Sequence, residues 1–131
     1  MNNINRSETA DTPSVFFDEQ TKTLSIIGNS YPENCSNIYE PIIEFVSNYN
    51  VSDFQKLKLH FYYNLINSTS VVYVSKLVLK VSDLKKKGLE VNVKWSYDRF
   101  DEELLDLGEK FSSISELEFE YEPIVDENDV N

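Results

Sequence analysis

The hydrophobic period of this chain changes inside one stretch, Lys58–Lys80 and its immediate flanks. On the N-terminal side Leu57, Leu59, Phe61 and Tyr63 fall at every second position, the spacing of a strand that buries one face. On the C-terminal side Val71, Val74, Leu77, Val78, Val81 and Leu84 recur at intervals of three and four, which is one face of a helix. The joint between them is Asn67-Ser68-Thr69-Ser70. Asn and Ser side-chain oxygens accept bonds from the unpaired amides of a first helical turn, so this joint starts the helix. A helix N-terminus also carries partial positive charge and free N–H groups, and so tolerates a phosphate. Two readings of the joint follow: capping alone, or capping together with a modifiable or partner-binding site. On residue type alone, capping is the commoner reason for Ser and Thr at a helix start.

The rest of the chain arranges around this unit. Ser14–Asp18 and Thr23–Ile27 are short apolar runs that form a hairpin across Glu19-Gln20-Thr21-Lys22, with Gly28 closing the second strand. A polar loop containing Pro32 leads to Ile38, Ile42, Phe45, Val46 and Tyr49 on one helical face. Pro41 is expected in or near the first turn of that helix, where its missing N–H costs nothing. The helix from Ser68 is predicted to end at Lys85-Lys86-Lys87, with Gly88 as its stop. Leu89, Val91, Val93 and Trp95 alternate as a strand. A helix carrying Leu104, Leu105, Leu107 and Phe111 follows, capped by Asp98 or Asp101. Leu117, Phe119 and Tyr121 alternate with glutamates in a last strand with one wet face, near the sheet edge. The predicted fold is therefore α/β, in the order β-β-α-β-α-β-α-β. It has a single mixed, mostly parallel five-stranded sheet, three helices, and the first strand antiparallel at or near an edge.

A length of 131 residues with 40% hydrophobic and 13% aromatic content suits one domain with one core. We place that domain at residues 12–122, with flexible tails at 1–11 and 123–131. The formal net charge of −11 opposes binding to nucleic acid or to anionic membranes. The single cysteine, Cys35, has no internal disulfide partner. No long apolar run and no basic-then-apolar start occurs, so neither a membrane span nor a signal peptide is expected, and the simplest location is cytoplasmic.

Catalytic chemistry finds little support in the residues. His60 is the only histidine, which argues against a zinc site, and Cys35 sits in a polar loop with no histidine near it in sequence. Asp101, Glu102 and Glu103 are acids where a first helical turn favours them. No glycine-rich phosphate loop is present, and Trp95 and Tyr97 are read as half-buried packing residues. We expect no catalytic residue, metal or cofactor, and so a non-enzymatic binding protein. The competing class is a small-molecule-binding domain or small enzyme using a pocket above the strand ends.

Several segments taken together resemble the SiaC family of bacterial regulatory phosphoproteins, which function like anti-sigma-factor antagonists. They are Thr12-Pro13-Ser14-Val15 with Phe17-Asp18, and Ile27-Gly28-Asn29-Ser30-Tyr31-Pro32-Glu33-Asn34. Tyr39, Pro41-Ile42, Tyr49 and the Asn67–Ser70 joint follow. Val93-Lys94-Trp95-Ser96-Tyr97-Asp98, Asp101-Glu102 and Gly108-Glu109 with Phe111 complete them. The resemblance spans nearly the whole chain, and the Gly-x-Ser-x-Pro-Glu-Asn and Trp-x-Tyr-Asp runs are its most specific parts. It implies an architecture like that of the anti-sigma-factor antagonists (STAS-like). It also implies phosphorylation at the first hydroxyl after the Asn, here Ser68, with Thr69 the alternative in the same turn. A partner kinase of the anti-sigma type and a PP2C-type phosphatase would set that state. The unphosphorylated form would bind and activate an effector, a diguanylate cyclase in the best-known case. One departure stands out: members often carry a Lys two residues after the Ser run, whereas Val71 and Val72 follow here and the first Lys is Lys76. Loops that follow parallel strands share one sheet edge. The expected partner-binding face therefore joins Asn67, Ser68, Thr69 and Ser70 with Tyr31, Pro32, Glu33 and Asn34.

Overall fold

A computed structural model describes residues 4–125; the ends of both expected tails, 1–3 and 126–131, lie outside the described residues. Five strands form one sheet in chain order, β1 (Ser14–Asp18), β2 (Thr23–Ser30), β3 (Lys56–Ile66), β4 (Glu90–Asp98) and β5 (Phe119–Ile124). β1 runs antiparallel to β2, and every later pair is parallel. The helices are α1 (Cys35–Ser47), α2 (Val51–Phe54), α3 (Ser68–Lys86) and α4 (Glu102–Ser115). Right-handed crossovers that advance strand by strand in one direction place their helices on one face of the sheet. α3 packs between α1 and α4 on that face. Leu24, Ile26, Leu57, Leu59, Phe61, Tyr63, Val93 and Trp95 point into the core they cover. The alternate positions Lys58, His60, Tyr62, Asn92 and Lys94 lie on the opposite, uncovered face.

Five features differ from expectation. A fourth helix, α2, is present; it is one turn held by Asn50, whose side chain accepts from the Asp53 amide, and four residues are too few to show a period. Pro41 lies inside α1 rather than in its first turn, because the helix begins at Cys35. Pro41 and Asn37, the residue whose carbonyl its missing N–H would have met, are both exposed, so water can serve that carbonyl. Cys35 is accordingly the first residue of a helix and buried, not part of a polar loop. Trp95 is fully buried, with its indole N–H donating to the Leu104 carbonyl at 2.9 Å. Within the expected N-terminal tail, Arg6 exchanges two backbone bonds with Val15 on the outer edge of β1. Among the described residues, no helix is long and apolar enough to cross a membrane.

Candidate functional site

β3 ends at Ile66 and α3 begins at Ser68, so Asn67 alone makes the joint. Its backbone is extended, and its side-chain oxygen accepts from the Ser70 amide at 2.8 Å, the N-cap geometry expected of Asn. Asn67 is also tied down from below, its own N–H donating to the Ser30 carbonyl at the end of β2 at 2.9 Å. The joint and the loop after β2 therefore meet at the same sheet end.

The three hydroxyls of the run have different surroundings. Ser68 and Thr69 occupy the first two helical positions and are exposed, whereas Ser70 is fully buried. Turning α3 so that Val74, Leu77, Val78 and Val81 face the sheet turns the Ser70 side chain inward with them. Its hydroxyl lies 2.8 Å from Ser30 Oγ, donates to the Ser30 carbonyl at 3.1 Å, and sits 3.4 Å from Cys35 Sγ. Ser30 Oγ is 2.6 Å from the Tyr39 hydroxyl, which is 2.9 Å from that of Tyr63. The Cys35 S–H faces Asn67 Oδ1 at 3.8 Å. Burial raises the pKa of Tyr39 and drives that of Tyr63 well up, so both phenols stay neutral hydrogen-bonding groups.

Of the loop residues, Tyr31, Glu33 and Asn34 are exposed while Pro32 is buried, so Pro32 shapes the loop and presents no surface of its own. Asn34 stands at the N-cap position of α1, and its side chain accepts from the Ser36 hydroxyl at 2.6 Å rather than from a helix amide. The structure thus brings the two expected segments together and divides each into exposed and buried members.

Sequence reasoning missed two features. The first is the buried hydroxyl chain; its signal was Tyr63 on the apolar face of β3, since a buried tyrosine hydroxyl needs a partner. The second is a groove of about 410 Å³ between the start of α3 and α4. Leu65, Ile66, Val71, Leu104 and Leu107 line it, with Ser68 on its wall and Asp101, Glu103 and Lys110 among its polar residues. Leu65, 55% exposed at the end of a strand, was its legible trace.

His60 is half-buried on the open sheet face, 2.9 Å from Ser96 Oγ, and Ser96 donates to Glu122, which pairs with Lys94 at 2.9 Å. The serine stands between histidine and carboxylate, so Glu122 reaches the histidine only through Ser96 and does not orient it directly as the carboxylate of a catalytic triad would.

Comparison with known proteins identifies the family and the fold. A model of the family described as "SiaC family regulatory phosphoprotein" matches residues 6–124. An uncharacterized protein of Pseudomonas aeruginosa strain UCBPP-PA14 is 27% identical over 111 residues, covering 85% of this chain and 88% of that protein. Apo-SiaC from P. aeruginosa superposes with a TM-score of 0.82 at 26% identity, covering 93% of this chain and 99% of that one. A crystal structure of the diguanylate cyclase SiaD in complex with its activator SiaC, from the same organism, matches with a TM-score of 0.81 at 27% identity, covering 89% and 96%. With a family match over nearly its full length, the chain belongs to the SiaC family of regulatory phosphoproteins.

Proposed function

We propose that this chain is a non-enzymatic regulator that binds and activates an effector protein when Ser68 is unmodified, and releases it when Ser68 is phosphorylated. The observation that carries this reading is the position of Ser68: exposed, first in α3, and on the wall of a groove of mixed apolar and polar lining, large enough to take side chains of a partner. A phosphate adds roughly −1.5 to −2 charge at neutral pH. At a helix N-terminus the fold itself accommodates that charge. A partner packed into the groove does not, because it must desolvate a dianion beside Asp101 and Glu103. The modification is then a local block on docking rather than a change of fold. Thr69 is the alternative acceptor.

A kinase of the anti-sigma type and a PP2C-type phosphatase are the proposed writers of this state. A diguanylate cyclase is the proposed effector, by analogy with the SiaD complex of the P. aeruginosa relative. Intact mass of the chain purified from the cells that encode it tests the first step. A species heavier by one phosphate, absent from Ser68→Ala, supports the switch. Titration of both forms against the co-purifying partner tests the second, and equal affinity of the Ala and phosphorylated forms would remove Ser68 from the mechanism.

A further inference from the structure

The hydroxyl chain under the acceptor turn has only one direction in which its hydrogens can run. Each hydroxyl has one hydrogen to donate. Tyr63 is fully buried, and its hydroxyl meets only that of Tyr39 among the described residues. If Ser70 donated toward the tyrosines, the last hydrogen, on Tyr63, would have no acceptor in the core, and an unmet buried donor is costly. The order that satisfies every group is Tyr63 to Tyr39 to Ser30 Oγ to Ser70 Oγ to the Ser30 carbonyl.

We propose that this directed chain decides which hydroxyls of the joint can be modified. The seating of α3 turns Ser70 inward, and the chain fixes its hydroxyl there as an obligatory donor, which leaves only Ser68 and Thr69 to a kinase. The inference rests on the phospho-switch reading of the same face and assigns Ser30, Tyr39 and Tyr63 as positioning residues for it. Phosphorylating Ser70 would remove the donor to the Ser30 carbonyl and place a dianion at a fully buried position.

The test is phosphopeptide mapping of the full chain, wild type, Ser30→Ala and Tyr63→Phe, each recovered from the cells that encode it. The wild type carries its phosphate on Ser68 or Thr69. Ser30→Ala cuts the chain next to Ser70, and the Ser70 share rises by about tenfold, the factor that one buried hydrogen bond of ordinary net strength represents. Tyr63→Phe removes only the first hydroxyl, keeps the ring that packs the core, and raises the Ser70 share less; it decides the matter if Ser30→Ala does not fold. Phosphate on Ser70 in the wild type, or an unchanged distribution in the folded variants, overturns the proposal while leaving the switch intact. Absence of phosphate from all three hydroxyls in the wild type overturns both.

Discussion

Gly108 shows how one missing side chain fixes the seating of a helix. A Cβ there would stand 2.6 Å from Cδ1 and Nε1 of Trp95, closer than non-bonded atoms approach. The indole has nowhere to go: it is fully buried, bonded to the Leu104 carbonyl, and in ring contact with Phe61, Tyr63, Phe111 and Phe119. Gly108→Ala should therefore cost about 1–3 kcal/mol by overpacking, although alanine is the better helix former at an exposed site. Urea unfolding measures this, and a variant as stable as the parent would show that α4 can shift freely. The hydroxyl run at the start of α3 gives a second contrast between neighbours. Ser68→Asp adds a carboxylate at an exposed first-turn position, where the helix dipole favours it, and the unfolding midpoint should stay at or above that of the wild type. Ser70→Asp buries a carboxylate among hydroxyls already engaged with one another. Its midpoint should fall by about 10 °C or more, because an uncompensated buried charge costs roughly 3–5 kcal/mol. Equal midpoints for the two variants would contradict the inward placement of Ser70.

At the scale of elements, α3 carries both the core and the site. Leu77 is fully buried in the middle of its apolar face, so Leu77→Ala should cost about 2–5 kcal/mol in chemical denaturation. A loss below about half a kcal/mol would mean that the face is misassigned. α3 and β3 were legible in the sequence because every local signal agreed: period two before Asn67, spacing of three and four after it, an Asn cap at one end and lysines then Gly88 at the other. α2 was not legible, because one turn shows no period. The start of α1 was missed because its first residues, Cys35, Ser36 and Asn37, read as loop, and Pro41 drew the expected start toward itself. The candidate site divides in the same way. A run of hydroxyls at a helix start is local, and so Ser68 and Thr69 could be read from sequence. That Ser70 differs from them depends on Ser30, forty residues away, and on Tyr39 and Tyr63 behind it, contacts that exist only once α1 and α3 lie side by side.

The described residues form two unlike faces of one sheet, one covered by helices and one not, and the Asn67–Ser70 turn belongs to the first. On the bare face the strands bring His60, Lys58, Lys94, Ser96 and Glu122 together across β3, β4 and β5. Partial burial lowers the pKa of His60, the Lys94 and Lys58 ammonium groups add to the lowering, and Glu122 opposes it. The unfolded chain therefore takes up a proton on this histidine more readily than the folded chain does. Where the unfolded state binds more protons, stability rises with pH. The contribution of His60 is thus fully present above about pH 6.5, its ordinary value, and declines as the pH falls below it. The pKa of Glu122 is also lowered, mainly by its hydrogen bond with Lys94, and its contribution is lost in the same direction but only further down, in the carboxylate range. General charge repulsion runs the other way, since acid relieves a net charge of −11. The two effects separate in a variant comparison, because His60→Gln removes the site term and leaves the repulsion nearly unchanged. His60 being the only histidine, denaturant midpoints at pH 7.5 and 5.5 should fall further in the wild type than in His60→Gln. Equal shifts in the two proteins would show that His60 titrates as freely in the fold as in the unfolded chain, and that the bare face exerts no hold on its proton.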